Sequence, residues 1–268
     1  MKKLSAPDLN VFKNYSYLVV KDDDSAASAV IRFVKKDSRV LDLGAGSGAI
    51  TKHLVGHNKC EVVAVEVNPA SVKKLEKFCK RVHSVDINSA DLPKLLGDER
   101  KFDYVLATDV LEHLYDPWLV LKSMKAMLND TGSIILSLPH AGHSVVVMNF
   151  LDGDIEYREW GLMDKTHIRF FGLHNIQQLY ESAGLAIVRF HFVVRKPEDT
   201  EFAGRWKILS ENARETIGNR QIANIWQVVT EAVPIERAEK PLLMADMLPE
   251  IGYAPKKRLF GLLQPKAS

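Results

Sequence analysis

Along the first two-thirds of the chain, short apolar runs take turns with stretches of helical spacing. The runs fall at 39–43, 61–66, 81–86, 103–107 and 133–138. Runs that are apolar without strict alternation suit strands buried on both faces, as in a parallel sheet. Helices are predicted between them over 24–35, 47–56, 69–79 and 116–128, with Asp24 or Ser25 as a cap for the first. Pro69 and Pro117 stand in first turns, where a backbone N–H would have no partner in any case. A further helix at 173–183 ends at Gly184 and leads into a strand at 185–194. This alternation predicts an α/β fold, one parallel sheet covered by helices on both sides.

Two segments break the rhythm. Residues 139–172 hold no sustained period and are expected as a loop on the substrate side of the sheet. Residues 196–251 read as helices, from Ile222, Ile225, Trp226 and Val229 and again from Leu242, Leu243, Met247 and Leu248. The tryptophan stripe is expected to pack. A last strand is expected at 258–263. The chain, 1–268, then forms one domain with an N-terminal segment and helix at 1–36, a lid at 139–172 and a helical insertion at 196–251.

Candidate chemistry begins at 39–50, RVLDLGAGSGAI. An apolar run, then Gly44, Gly46 and Gly48, then a helical pattern is the arrangement that holds a nucleotide-like cofactor at a helix N-terminus. Gly44-x-Gly46-x-x-Ala49 also satisfies the loose dinucleotide fingerprint. Asp42 separates the two readings. A diphosphate beside it would meet like charge, whereas S-adenosylmethionine brings an α-ammonium that a nearby carboxylate attracts. Glu66 ends the second run about where an acid reaches ribose hydroxyls. Asp86 ends the third and can accept from an adenine amino group.

Composition narrows the class. A chain of 268 residues with 46% hydrophobic content buries one sizeable core. A net charge of +2 gives no electrostatic footprint for nucleic acid. The two cysteines, Cys60 and Cys79, read as reduced. The first residues lack an apolar signal core, and no run is long enough to cross a bilayer. A cytoplasmic protein acting on a small molecule or glycan, with a possible homodimer, is the expectation.

VLDLGAGSG at 40–48, DYVLATDVLEHL at 103–114 and GSIILSLP at 132–139 resemble the motifs of class I S-adenosylmethionine-dependent methyltransferases. LMDKTHIRFF at 162–171 is similar to an element of the glycan-cluster members, within the broad family that includes ubiquinone-biosynthesis O-methyltransferases. The resemblance implies a Rossmann-like doubly wound seven-stranded sheet with its last strand antiparallel. It implies cofactor contacts from Gly44, Ala45 and Gly46, from Glu66 and Val67 at the ribose, and from Asp86 and Ile87 at the adenine. It also places Asp109 beside the methionyl part, and Tyr17 at the cofactor edge.

The acceptor is a separate matter. The fourth motif reads Ala107-Thr108-Asp109-Val110, without the proline turn that base-amine methylation uses. A hydroxyl acceptor has to lose a proton, and histidine is the natural base near neutral pH. His143 and His167 are the candidates, with Asp164 placed to orient His167, or to pair with Arg169 and pin the lid. His113 reads mainly as structural. His140-x-x-His143 with Asp152, Asp154 and Asp164 offers ligand types for a metal, but the spacing is a weak signal and no metal is expected. The resulting expectation is an O-methyltransferase for a sugar, glycan precursor or related metabolite. The alternatives are an amine, carboxylate or phenol acceptor, a non-catalytic cofactor-binding subunit, and a nicotinamide enzyme.

Overall fold

The computed structural model describes residues 23–247. In chain order its elements are α1 (Ala26–Phe33), β1 (Arg39–Leu43), α2 (Ala49–Gly56), β2 (Glu61–Glu66), α3 (Pro69–Leu75) and β3 (Arg81–Ser84). Then come α4 (Leu92–Leu95), β4 (Phe102–Thr108), α5 (Pro117–Ala126), β5 (Leu128–Pro139) and α6 (Ser144–Asp152). Last are α7 (Leu173–Ser182), β6 (Leu185–Val194), α8 (Ala203–Ile208), α9 (Glu211–Gly218) and β7 (Ile225–Pro234). The strands form one seven-stranded sheet in the order β3-β2-β1-β4-β5-β7-β6. β7 runs antiparallel to both of its neighbours, and the remaining pairings are parallel.

The two faces of the sheet carry separate cores. Leu41, Leu43, Val63, Val105 and Leu136 pack with residues of α5 and α7 on one side. Val40, Val62, Leu106 and Ile135 pack with α1, α2 and α6 on the other. Because side chains alternate along a strand, Asp42 belongs to the second face while its neighbours Leu41 and Leu43 belong to the first. The helix starts follow their sequence signals. Ser25 Oγ accepts from Ser28 N, and Asn68 and Asp116 cap the helices that begin with Pro69 and Pro117.

Three expectations need correction. The 139–172 segment is not a plain loop, since α6 runs through it. Val145, Val146 and Met148 are buried there, and tertiary burial outweighs the low helix propensity of the β-branched run. Among the described residues of the 196–251 segment, the α-helices are α8 and α9, accompanied by short 3-10 turns at Pro197–Asp199, Ile235–Arg237 and Met244–Met247. Ile225, Trp226 and Val229 lie on β7, the antiparallel strand that was expected at 258–263. Buried on both sheet faces, β7 shows no alternation, so its apolar spacing also fits a helix. Tyr17 and residues 258–263 lie outside the described residues.

Candidate functional site

β1 and β4 are neighbours in the sheet, but the chain leaves them toward opposite edges. Such a switch point opens a crevice at the carboxyl ends of the strands. A cavity of about 240 Å³ lies there. Asp42 and the loop 44–47 form one wall, and Thr108, Asp109, Glu112 and His113, which follow β4, form the next. Trp160, Gly161, Leu162, Asp164 and His167 close it from the segment after α6, and Trp226 and Gln227 close it from β7.

The glycine loop is held by its backbone. Gly44 N and Ala45 N both donate to Val65 O, and Gly46 N donates to Glu66 Oε2 at 2.7 Å. Gly44 has φ +67, and a Cβ there would stand 2.6 Å from Val110 Cγ2. The left-handed conformation costs a non-glycine residue roughly 1–2 kcal/mol, before the cost of moving Val110. Gly44→Ala is therefore expected to lower stability by at least about that amount, measured by chemical denaturation.

Asp42 is 2% exposed. Its Oδ2 accepts from Thr51 Oγ1 at 2.6 Å, while its Oδ1 is buried with no hydrogen-bond partner. Burial raises its pKa to about 6; the Thr51 hydrogen bond lowers it and the charge of Glu66 raises it further. Asp109 opens onto the cavity, but the protein around it still raises its pKa by desolvation. Ser137 Oγ and Gln227 Nε2 donate to its Oδ1 at 2.6 and 2.7 Å and pull the other way. Its backbone has φ +54, a strained conformation of the kind that collects at functional sites.

Glu112 and His113 sit on a short 3-10 turn after β4. Glu112 is fully buried and neither carboxylate oxygen has a hydrogen-bond partner. Burial raises its pKa well above the ordinary value, and the charges of Asp109 and Asp164 act in the same direction. His113 Nε2 and His167 Nε2 each lie 3.9 Å from Glu112 Oε1. His167 is neutral at pH 7, because burial lowers its pKa to about 4.

Asp164 does not take the place expected for it. The Nδ1 of His167 meets the Leu162 carbonyl at 3.3 Å. Asp164 Oδ1 instead accepts from Thr166 N and Thr166 Oγ1, and Thr166 Oγ1 lies 3.0 Å from His113 Nδ1. Asp164 therefore acts on His113 through Thr166. Nor does Arg169 supply a pin by pairing with it, since Arg169 Nη2 donates to Tyr115 O.

His143 is a larger correction. It does not line the cavity. Its Nδ1 caps α6 by accepting from Val145 N, and its Nε2 donates to Arg195 O at 2.8 Å. Both ring nitrogens are committed to the fold, and burial lowers its pKa to about 4. His143→Ala is expected to cost about 1–3 kcal/mol of stability, measured by denaturation. Turnover should fall less than tenfold, whereas loss of a base costs about 10²–10⁴-fold. The metal cluster weighed from the sequence is also dispersed. His140 Nδ1 faces Ile225 O, while Asp152 and the Asp154 carbonyl engage Arg205.

The remaining candidates lie outside the cavity wall. Glu66 is buried, with Oε1 accepting from Asn68 N as Oε2 accepts from Gly46 N. A carboxylate has about four acceptor positions, so two remain for hydroxyls. Asp86 is exposed and accepts from Asn88 N, Ile87 is buried, and Val67 is half-buried.

A methyltransferase domain family matches residues 21–189. The chain belongs to this family. As a class I methyltransferase it uses S-adenosylmethionine as its methyl donor. The ubiquinone biosynthesis O-methyltransferase of Coxiella burnetii is 20% identical over 168 residues, covering 62% of this chain and 71% of that protein. The (S)-coclaurine N-methyltransferase of Papaver somniferum is 30% identical over 128 residues, 46% of this chain and 35% of that one. A solved methyltransferase of Archaeoglobus fulgidus superposes with a TM-score of 0.54 at 20% identity, covering 78% of this chain and 91% of that one.

The unpartnered Asp42 oxygen beside the glycine loop fits the ammonium that this donor carries. Three cavity residues of the methyltransferase were not placed at the site from the sequence: Glu112, which was singled out for no role, and Trp226 and Gln227. Reading β7 as a strand, from its run Val228-Val229-Thr230, would have placed Trp226 and Gln227 at the cavity edge.

Proposed function

We propose that the protein is an O-methyltransferase for a hydroxyl of a sugar, glycan precursor or related small metabolite. One observation carries the reading. Glu112, His113 and His167 gather proton-accepting atoms in the cavity wall, the group that a hydroxyl acceptor requires and a neutral amine does not. When bound, S-adenosylmethionine supplies an activated methyl group on a sulfonium. Asp42 Oδ1 holds its ammonium, Glu66 and Val67 the ribose, and Asp86 and Ile87 the adenine. Asp109 stands beside the methionyl part. The histidine pair and Glu112 take the hydroxyl proton, and Trp160, half exposed at the cavity edge, offers a flat apolar face to a ring. The identity with an O-methyltransferase supports the reading. No helix among the described residues is long and apolar enough to cross a membrane. The two unpaired cysteines suit the cytoplasm as its compartment.

The test is a screen with labelled methyl donor across sugars, nucleotide-linked sugars, phenols and amines. Label in an acid- and base-stable ether of a sugar or small metabolite is the expected product. Label only in amines or esters overturns the reading.

A further inference from the structure

We infer that Glu112, His113 and His167 form a binding site for one divalent metal ion of the zinc type, opening onto the cavity. Its role in activating the acceptor rests on the hydroxyl reading above; its existence does not.

The argument starts from tautomers. His113 Nδ1 lies 3.1 Å from the Thr166 carbonyl, and His167 Nδ1 lies 3.3 Å from the Leu162 carbonyl. A carbonyl only accepts, so each Nδ1 carries the ring proton. The Thr166 hydroxyl donates to Asp164 at 2.7 Å, which leaves its oxygen to accept from His113 as well. A neutral imidazole has one N–H, so both Nε2 atoms present lone pairs. Both face the same carboxylate oxygen, Glu112 Oε1, at 3.9 Å.

Three ligand-type atoms therefore converge with no hydrogen bond between them. The ligand atoms all lie within 4.8 Å of one another. Glu112 is fully buried and neither of its oxygens has a hydrogen-bond partner. Leaving a buried carboxyl group unsatisfied is costly, and a cation at the common point removes that cost. Histidine ligands usually donate their second ring nitrogen to a carbonyl or carboxylate, which fixes the tautomer, and both histidines here do so.

The donor set selects the ion. Two imidazoles and one carboxylate suit zinc and its neighbours, whereas magnesium prefers oxygen ligands and water. Bonds of about 2.0–2.2 Å set tetrahedral ligands roughly 3.3 Å apart, so each histidine has to approach Glu112 by about half an ångström, and the two histidines have to approach each other by at most about 1.5 Å. With three protein ligands a fourth position stays open toward the cavity. An acceptor hydroxyl placed there becomes more acidic. With the ion on the lone pairs of the histidines and Glu112, the proton passes to solvent instead of to them, the new C–O bond forms as the C–S bond breaks, and the sulfur keeps the bonding pair.

The test uses the full chain, stripped with chelator and titrated with Zn²⁺ in a calorimeter. One ion per chain is expected, bound at least 100-fold more weakly by His113→Ala, His167→Ala and Glu112→Gln. His174→Ala, at an exposed position on α7, should bind as wild type does. Because a variant can fail through misfolding, the wild type is also loaded with Co²⁺. An intense visible spectrum, as low-symmetry four-coordinate sites give, supports the site. A weak spectrum like that of the hydrated ion, or Zn²⁺ affinity equal in all variants, overturns it. Full-rate hydroxyl methylation by metal-free protein removes the metal's role in activating the acceptor and leaves the O-methyltransferase reading standing. Metal binding with methylation of amines only does the reverse.

Discussion

Asp42→Asn is expected to weaken S-adenosylhomocysteine binding by about 30-fold or more while making the apoprotein more stable. Asparagine keeps the shape and can still accept from Thr51 Oγ1, so the change isolates the charge. Removing one partner of a buried charge pair costs about 2–5 kcal/mol of binding free energy. The stability effect has the opposite sign. Asp42 has a folded-state pKa of about 6 against an ordinary 3.8. The folded apoprotein therefore binds the proton more tightly than the unfolded chain does. Its stability falls as pH rises from about 4 to 6 and stays lowered above that, by a sum on the order of 3 kcal/mol. Asparagine removes this penalty, so denaturation near pH 7.5 should show a gain of about 1–3 kcal/mol. The ammonium of the ligand reverses the shift. Below pH 6 the wild type must release a proton to bind, and affinity should drop about tenfold per pH unit. Calorimetry in buffers of different ionisation enthalpy reads that proton directly. Equal affinity at pH 5 and pH 7.5, or an unchanged Kd in the variant, removes the assignment of Asp42 to the ammonium.

The cavity wall made by Asp42 and the glycine loop was legible because it is local. Asp42, Gly44 and Gly46 occupy one strand, one turn and one helix start, so sequence order is nearly spatial order. The switch point that aligns Asp109 with them follows from the strand–helix alternation. The acceptor half depends on contacts between distant segments. Nothing local says that His167 returns to Glu112, because the path between them includes α6, a helix made from a β-branched run that packing rather than propensity holds. His143 misled for the same reason. Its position after β5 suggested the cavity, and only the fold shows that its two nitrogens cap α6 and hold Arg195. Trp226 could be placed only once β7 was known to be a strand. Asp164 was chosen for the right neighbourhood and its charge does act on His167, but its hydrogen-bonded route runs through Thr166 to His113, which is invisible without coordinates.

Glu112→Gln should lower kcat by about 10²-fold or more with the methyl donor's affinity unchanged within about twofold. Glu112 lies next to His113 and His167 rather than against Asp42 and the loop 44–47, and it reaches the donor side only through the charge of Asp109, so donor binding should change little. The loss belongs to the proton, or to the ion that displaces it, and general base assistance is worth about 10²–10⁴-fold. The amide also brings hydrogens to two imidazole lone pairs that face an acceptor. It therefore satisfies a buried cluster that the carboxylate leaves open, and the apo variant should resist denaturant at least as well as wild type. A purely structural Glu112 predicts the reverse: a less stable variant whose kcat is preserved. The two accounts thus differ in the sign of the stability change as well as in turnover. An unfolding curve and a saturation curve on the same preparation separate them, and a variant that is both stable and fully active refutes the assignment of this cluster to the acceptor.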